Sequence, residues 1–456
     1  MAGLFGILQS GKRSLIAQQF AQTVVGNNIA NVNTKGYSRQ SARLIPAPSV
    51  NTAYGRIGMG VNIDGVKRSR NAFLDKIYRD ANSELTQWQA QQFFLEQVDA
   101  LFADVDESGI GSQMDRFFNA WYDLSNDPES SQARIAVKES GKSMSRTFNR
   151  VARGLTDQRK NINGQVQALV DRVNDLTSKI AELNAKIPRS DSNLTQENEL
   201  KDQQDLLIDE LTDILDVEVV YTENSGVNLY VDSLNIVSGA TSLTLETEYD
   251  ASGDIPLLNI SGVAGVAVDI TGGELGGILE LRDEIITGYQ DKLNTLAQNI
   301  VEQVNIYHKA GYTLNGDTGM EFFDHTKITA ETMALSSDVL DDVSNIAAAS
   351  EDAQGDNSQA LLIAGLKDAP LIDGTSFRDY YNSIIQAIGE DTRMSTVSSQ
   401  NFEIIKTQAE LQKEGVSGVS LDEEMIDMIR YQRAYGAAAR LISTVDSMIE
   451  TLLSLR

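Results

Sequence analysis

The two ends of the chain share one pattern of apolar residues, in which steps of four and three residues mark one side of a helix. At the N-terminal end these positions are Leu4, Leu8, Gly11, Leu15, Gln18, Gln22, Val25 and Ile29. At the C-terminal end they are Leu421, Met425, Met428, Gln432, Tyr435, Ala439, Ile442, Asp446, Ile449 and Leu453. The pattern predicts two terminal helices with coiled-coil-like seams that polar residues interrupt.

Further helices are predicted in the middle of the chain. Apolar residues at helical spacing cover residues 73–103, and residues 155–187 carry the most regular heptads before Pro188 ends the helix. The same pattern resumes over residues 200–214, which indicates an antiparallel helical hairpin. Another helix is predicted over about residues 276–309.

Residues 216–275 have a different character, because β-branched and alternating stretches such as "VEVVY", "VNLYV" and "VAVDI" are separated by turn residues. Residues 310–360 suggest turns mixed with short strands. The predicted fold class is mainly α with a β-rich insertion (α+β). It is an elongated rod with paired terminal helices in a coiled-coil-like core, a central helical bundle and a small outer β domain.

These elements divide the chain into three predicted domains. Residues 1–36 and 418–456 form the terminal coiled-coil core domain. Residues 37–215 and 276–417 form the central, mainly helical domain, and residues 216–275 form the β-rich insertion domain.

Composition narrows the function. The chain has 456 residues and a formal net charge of −27, which disfavours nucleic acids and anionic membranes as partners. Cysteine is absent, so disulfides and thiolate metal sites are excluded. The two histidines, His308 and His325, are too few for the usual base, metal-ligand and triad chemistry.

Motifs for enzyme chemistry are weak. "GILQSGKR" at residues 6–13 nearly matches a phosphate-binding loop, but Arg13 replaces the magnesium-binding hydroxyl and no strand can precede it. "AVKESGKS" at residues 136–143 lacks the first glycine of that motif. "NGDTGMEFFD" at residues 315–324 lacks the acid spacing of an EF-hand. We therefore expect no enzyme activity, catalytic residues, cofactor or metal.

The N-terminus lacks the long apolar core and cleavage site of a signal peptide, and no apolar run approaches the roughly 20 residues of a spanning helix. We expect synthesis in the cytoplasm without a cleaved signal peptide, and no membrane insertion. Export by a route without such a signal stays open.

The stretch "NNIANVNTKGYSRQ" at residues 27–40 stops the first helix with a turn. Asn31, Asn33 and Gly36 accept left-handed backbone angles, and Thr34 can bond to the backbone of the turn. Tyr37 then offers an aromatic body with a polar tip. This turn directs the chain away from the helix axis.

That stretch resembles the N-terminal signature of bacterial flagellar axial proteins, and "YSRQ" is similar to the variant in the flagellar hook-associated protein 1 family. "GGELGGILELRDE" at residues 272–284 and the stretches at 293–323 and 418–455 also resemble that family. Lys35 stands where relatives often have proline, and the chain is short for the family. The likeness spans roughly the whole chain.

The resemblance implies a structural component of the flagellum that connects hook to filament and self-assembles through its terminal helices. It implies a location in the extracellular flagellum, at the hook–filament junction. The implied partners are further copies of the chain, hook protein, the neighbouring junction protein on the filament side, and an export chaperone at the C-terminal segment, through Met425, Ile429 and Leu441. The predicted assembly interface comprises Leu4, Leu8, Leu15, Val25, Ile29, Asn31, Thr34, Gly36, Tyr37, Leu421, Met425, Met428, Tyr435, Ile442, Ile449 and Leu453.

The terminal helices carry few large apolar residues for their length, while apolar flanks remain beside both seams: Phe5, Ile7, Ile16, Ile426, Ile429, Val445 and Leu452. We therefore expect residues 1–30 and 420–456 to be loose in the free monomer and to order when neighbouring subunits cover them. The alternatives are another flagellar axial protein (hook or distal rod) or a secreted coiled-coil adhesin.

Overall fold

A computed structural model describes residues 2–52, 55–104, 107–187, 194–222, 226–250, 257–262, 268, 270–353 and 355–454. The helices are α1 (Ala2–Ala30), α2 (Ala72–Phe102), α3 (Ile110–Asn126), α4 (Ser131–Lys186), α5 (Leu194–Ile214), α6 (Gly273–Glu280), α7 (Ile286–Ala310), α8 (Ser337–Asp341), α9 (Ser358–Gly365), α10 (Phe377–Ser417) and α11 (Leu421–Ser454). The strands are β1 (Gln40–Pro46), β2 (Val50–Thr52), β3 (Gly55–Ile57), β4 (Val61–Arg68), β5 (Glu218–Tyr221), β6 (Val227–Val231), β7 (Leu234–Ser238), β8 (Thr241–Ser242), β9 (Glu246–Asp250) and β10 (Leu257–Ser261).

The predicted fold class, mainly α with a β-rich insertion, is confirmed. The helix predicted over residues 73–103 is α2, and the heptads at 155–187 form the second half of the 56-residue helix α4. Helix α4 pairs with α5, as the hairpin prediction required. Pro188, which was expected to end α4, lies outside the described residues. The division into three domains stays a prediction.

One continuous hydrophobic core holds together the part of the molecule between the two terminal helices, which is called the rod below. It is built from α2, α3, α4, α5, α6, α7, α9 and α10, and it extends into the β insertion. Trp121, Phe117 and Phe322 are fully buried at one centre of it and contact one another edge-on or tilted. Among the described residues, none from α1 or α11 belongs to this core. The terminal helices therefore lie outside the part of the molecule that apolar burial stabilises most.

The β insertion contains a four-stranded antiparallel sheet in the order β5-β6-β7-β8 and a separate β9–β10 hairpin. Asn184 of α4 fixes this sheet, because its side chain donates to the carbonyl oxygens of Val227 and Gly239 at 2.8 and 2.7 Å and accepts from the Val227 N–H at 2.8 Å. The strand predicted at residues 266–270 lies largely outside the described residues.

Residues 40–68, for which no secondary structure was predicted, add two hairpins to the mainly helical part of the chain. They form strands, with β1 paired to β4 and β2 paired to β3, both antiparallel. These hairpins lie along α1, since the Ser10 backbone lies 3.2 Å from where a Cβ of Gly60 would be, and Arg13 donates to the carbonyl oxygen of Met59 at 3.4 Å. Helix α1 is thus supported on one side by strands and on another by α11.

Two other regions differ from their predictions. The helix predicted from residue 276 begins at Gly273, and a π-helical segment, Leu281–Ile285, interrupts it before α7. Gly273 has φ +70°, and a Cβ there would lie 2.4 Å from the Ile214 backbone, so no other residue fits. In residues 310–353, isolated bridges such as Tyr312 with Ala349 replace the expected short strands.

Candidate functional site

The side chains that α1 buries are small where it packs between α11 and the hairpins. Ala17 and Ala21 are 0% and 1% exposed, and Gly11 is buried as well. A Cβ added at Gly11 would lie 2.9 Å from Cγ1 of Ile442 in α11. The backbones of the terminal helices therefore approach each other closely, and larger side chains are turned away from this contact.

The predicted seams agree with the structure in part: Gly11 and Val25 are buried, and Gly11 packs against Ile442, which is also a predicted seam position. Most other buried positions lie one residue before a seam position, which corresponds to a rotation of about 100°. In α11 the buried residues each precede a predicted seam position: Glu424, Ala438 and Val445. In α1 the same offset holds for Ala17, Ala21, Val24 and Asn28. Val445, predicted as part of an apolar flank, is 2% exposed. The periodicity follows large apolar residues, whereas the actual contact uses small and polar ones.

The predicted interface residues consequently lie at different depths. Val25 is buried. The half-buried ones are Leu4, Leu8, Leu15, Ile29, Asn31, Tyr37, Met428, Ile442 and Ile449. The exposed ones are Thr34, Gly36, Leu421, Met425, Tyr435 and Leu453. Their role in assembly stays a prediction.

Large apolar side chains face solvent on both terminal helices. Of the predicted flanks, Phe5 is 63% exposed, Ile426 66% and Leu452 56%. The other exposed large apolar residues described on these helices are Ile7, Ile16, Leu421, Met425, Ile429, Tyr435, Leu441, Met448 and Leu453. Helix α11 has 34 residues, and three of its described side chains are buried. An apolar surface this extended is typical of an interface rather than of a free helix.

The terminal helices meet the turn at a buried polar node formed by Asn28, Tyr37, Arg39, Gln40 and Glu424. The Asn28 side chain donates to the Gln40 carbonyl oxygen and to Glu424 Oε2, both at 2.8 Å. Its Oδ1 accepts from the Tyr37 hydroxyl at 2.8 Å and from the Gln40 N–H at 3.0 Å. One fully buried side chain thus joins α1, β1 and α11.

Arg39 completes the node from the side of the turn. Its Nε lies 2.7 Å from Glu424 Oε1, and its Nη1 lies 2.7 Å from Glu423 Oε2. Burial alone would lower the pKa of Arg39, but Glu424 and Glu423 outweigh it and hold this pKa above its ordinary value. The Arg39 N–H also donates to the Ser417 carbonyl oxygen at 2.8 Å, which ties the turn to the end of α10.

The turn residues support this node. Asn31 donates to the Asn27 carbonyl oxygen at 2.9 Å, and Thr34 Oγ1 donates to Asn31 Oδ1 at 3.1 Å. Gly36 has φ +82°, as its predicted left-handed role requires. Burial raises the pKa of Tyr37, and the nearby carboxylates raise it further, so its hydroxyl stays protonated and donates to Asn28.

A second buried cluster, the base cluster, lies where the hairpins meet α2, α5 and α10. It balances four cations against four carboxylates: Arg68, Arg70, Arg79, Lys413, Asp75, Asp202, Asp205 and Asp209. The shortest pair is Arg79 Nε with Asp209 Oδ1, at 2.6 Å. Burial alone would raise the pKa of Asp209, but Arg79, Lys413 and Arg70 outweigh it and lower this pKa. Sequence reasoning missed the cluster, because charges in an acidic chain suggest a solvated face.

A cleft of about 640 Å³ separates the turn from α5 and α10. Its walls include Lys35, Gly36, Leu206, Glu210 and Glu414. Gly36 packs against α5, because a Cβ of Gly36 would lie 3.3 Å from Cβ of Leu206, and the Ser38 N–H donates to Asp202 Oδ2 of the same helix at 3.2 Å. The polar node therefore joins both terminal helices to the turn, and the base cluster joins the hairpins beside α1 to α2, α5 and α10.

The weaker motifs have structural positions. Residues 6–13 lie inside α1 and residues 136–143 inside α4, so both near-matches to a phosphate loop are helical. His308 is fully buried: its Nδ1 lies 2.8 Å from the Met320 carbonyl oxygen, and its Nε2 accepts from the Ala347 N–H at 2.9 Å. His325 is exposed beside Glu321. In the described part of the chain, no helix is long and apolar enough to cross a membrane.

Comparison with known proteins identifies related families over most of the chain. The family model described as flagellar hook-associated protein FlgK helical domain matches residues 95–323. The C-terminal model of flagellar basal body rod FlgEFG proteins matches residues 415–455, and the flagella basal body rod protein model matches residues 8–37. The last two matches cover the terminal helices.

Whole-chain relatives agree with these matches. Flagellar hook-associated protein 1 of Bacillus subtilis is 30% identical, over 100% of this chain and 99% of the relative. The protein of the same name from Escherichia coli is 27% identical, over 99% of this chain and 100% of the relative. The solved flagellar hook junction protein FlgK from Burkholderia pseudomallei has a similar fold, with a TM-score of 0.68 at 16% identity over 75% of this chain and 100% of that chain.

Proposed function

This chain belongs to the flagellar hook-associated protein 1 family, and we propose that it self-assembles through the outward apolar faces of α1 and α11. It is a structural component of the bacterial flagellum at the hook–filament junction. The observation that carries the proposal is the exposure of large side chains such as Met425, Ile426 and Leu452, at 56%, 66% and 56%, on the side of α11 that faces away from α1. Covering them is favourable by about 1.5–3 kcal/mol for each large side chain fully buried.

The contacts would be head-to-tail. The outward residues of α1 and α11 differ from each other, so each copy offers two unlike surfaces, and repeating such a contact generates a ring or a helix rather than a closed dimer. The net charge of −27 keeps free monomers apart until both surfaces are aligned.

The polar node suggests how order is distributed along the terminal helices. Near Asn28 and Glu424 buried hydrogen bonds anchor both helices to the rod, whereas the distal parts, residues 2–20 and 432–454, bury few side chains. We propose that these distal parts order when neighbouring copies cover them, and that the node sets the direction in which they leave the rod.

Hook protein and the junction protein on the filament side are the proposed axial neighbours, and the chain acts by structure rather than by catalysis. The same apolar face would be shielded before assembly by an export chaperone. Met425, Ile429 and Leu441, which we propose as its contacts, are 56%, 48% and 42% exposed. Secretion would bring the chain to the flagellum outside the cell.

A deletion strain tests this function. It should grow hooks without filaments, and the wild-type chain should restore them. A variant with Ile426→Glu and Leu452→Glu, which are not among the proposed chaperone contacts, should be secreted but fail to restore filaments, because the added carboxylates would be buried between copies.

A matched control is Val220→Glu with Tyr249→Glu, which places the same charges on exposed apolar positions, 41% and 64% exposed, in the β insertion. Filaments should return with the control. Full-length filaments in the deletion strain would refute the junction function, and full activity of the α11 variant would refute the proposed interface.

A further inference from the structure

The second half of α10 leaves one apolar face uncovered. Its buried side chains are small, namely Ser395, Ser399 and Ala409. Ile404 is 68% exposed and Leu411 is 60% exposed. The α10 face comprises these two residues with Met394, Val397, Ile405 and Val416, which are 42–50% exposed.

The spacing of these residues separates two kinds of exposed surface. At 100° per residue, all six members of the α10 face fall within about 140° of the helix circumference. The other exposed flank of the same helix is polar and acidic: Glu403, Thr407, Glu410 and Glu414. The exposed polar residues Asn401, Gln408 and Gln412 lie on the same arc, between the apolar ones. Solvation explains these and the acidic flank, but it does not explain six large apolar side chains on one arc.

Charge is also missing where the face begins. Residues 394–402, "MSTVSSQNF", contain no charged residue between Arg393 and Glu403, although 23% of the chain is charged. Depletion of charge at an apolar centre is the compositional sign of a protein–protein interface.

We propose that the α10 face seats a second copy of this chain and so extends the assembly interface from α11 onto the rod. The proposal rests on the proposed function, because it takes self-assembly through α11 as given. The face ends at Val416, and the outward face of α11 begins at Leu421, so the two surfaces follow each other along the chain.

The chemistry of the face favours another copy over other occupants. A basic partner would select the acidic flank, since the α10 face has no carboxylate to pair with it. Two copies that each carry −27 can approach closely only where charge is absent, and residues 394–402 provide such a place.

Site-specific crosslinking in assembled flagella tests this contact. The chain has no cysteine, so Ile404→Cys creates one attachment point for a photoreactive maleimide. Purified hook–filament preparations that contain the labelled variant should give a dimer-sized product whose peptides all come from this chain. Thr407→Cys, on the acidic flank of the same turn, should give at most about a fifth as much.

The outcomes separate the two proposals. If the Ile404→Cys chain restores filaments and is present in the preparation, but its product contains a different protein or is no more abundant than that of Thr407→Cys, the α10 contact is refuted while the junction function stands. If the wild-type chain is itself absent from purified flagella, the proposed function fails.

A second pair of variants measures the contribution of the face. Ile404→Glu with Leu411→Glu should raise the amount of detached filament in the medium about tenfold or more, because burying unpaired carboxylates is costly. The matched control for the first of these substitutions is Thr407→Glu alone, which adds a carboxylate to an exposed position of the acidic flank and should leave detachment unchanged, whereas Ile404→Glu alone should raise it. Equal detachment in the two single variants would overturn the proposal.

Discussion

Replacing Asn28 by alanine should loosen the terminal helices from the rod without unfolding the rod. The Asn28 side chain is fully buried and makes four hydrogen bonds of 2.8–3.0 Å, two of them with the backbone of Gln40. The Asn28→Ala variant removes all four. Glu424 keeps its bond to Arg39, so the main loss falls on Gln40.

The magnitude follows from those partners. A buried donor or acceptor left without a partner costs about 1–3 kcal/mol, and the N–H and C=O of Gln40, itself 3% exposed, would both be left so. If water hydrates one of these two groups, the free energy needed to open the node should fall by about 3 kcal/mol. Since 1.4 kcal/mol is tenfold, its opening equilibrium should rise roughly a hundredfold.

Hydrogen exchange of the Gln40 amide measures this directly, because that N–H donates to Asn28 Oδ1. In the Asn28→Ala variant it should exchange roughly a hundredfold faster, while amides in the middle of α4 are unchanged. The matched control is Asn33→Ala, at an exposed position of the same turn, which should leave the Gln40 amide at its wild-type rate. Exchange of Gln40 within about threefold of wild type in the Asn28 variant would refute the proposed role of the node.

Two further predictions concern acid and backbone geometry. Burial lowers the pKa of His308 from 6.5 to about 4, so unfolding takes up a proton below pH 6.5, and about 3 kcal/mol of stability should be lost as the pH falls from 6.5 to 4. Chemical denaturation at a series of pH values should show a smaller loss over that window in a His308→Gln variant, and equal slopes would contradict the assignment. Gly36→Ala should cost about 1–2 kcal/mol, because φ is +82° and the new methyl group meets Leu206. Limited proteolysis of the turn should become faster, and an unchanged rate would count against the strained conformation.

The sequence predicted the elements that large apolar residues define. Helix α2, the heptads of α4 and the β insertion follow such patterns, and the predicted helix at 73–103 matches α2 to within one residue at each end. The second half of α10 was not predicted, because its buried side is built from Ser395, Ser399 and Ala409 rather than from large apolar residues.

The candidate site was harder to predict for the same reason. Gly11 was a position of the predicted seam, but the apolar pattern could not show that its missing side chain lets Ile442 approach so closely. Glu424 is 1% exposed, yet from sequence alone a carboxylate in "LDEEM" indicates a solvated first turn. Its partners Arg39 and Asn28 lie 385 and 396 residues away in the chain. Side-chain partners this distant follow from the tertiary fold and not from local spacing.

The central claim is that the distal parts of the terminal helices depend on neighbouring copies for their order. Hydrogen exchange of the isolated chain and of purified flagella, followed at residues 2–20 and 432–454, tests it most directly. The account predicts nearly unprotected amides in the isolated chain and strong protection in flagella, with α4 protected in both. Protection of both terminal segments in the isolated chain as strong as that of α4 would contradict it.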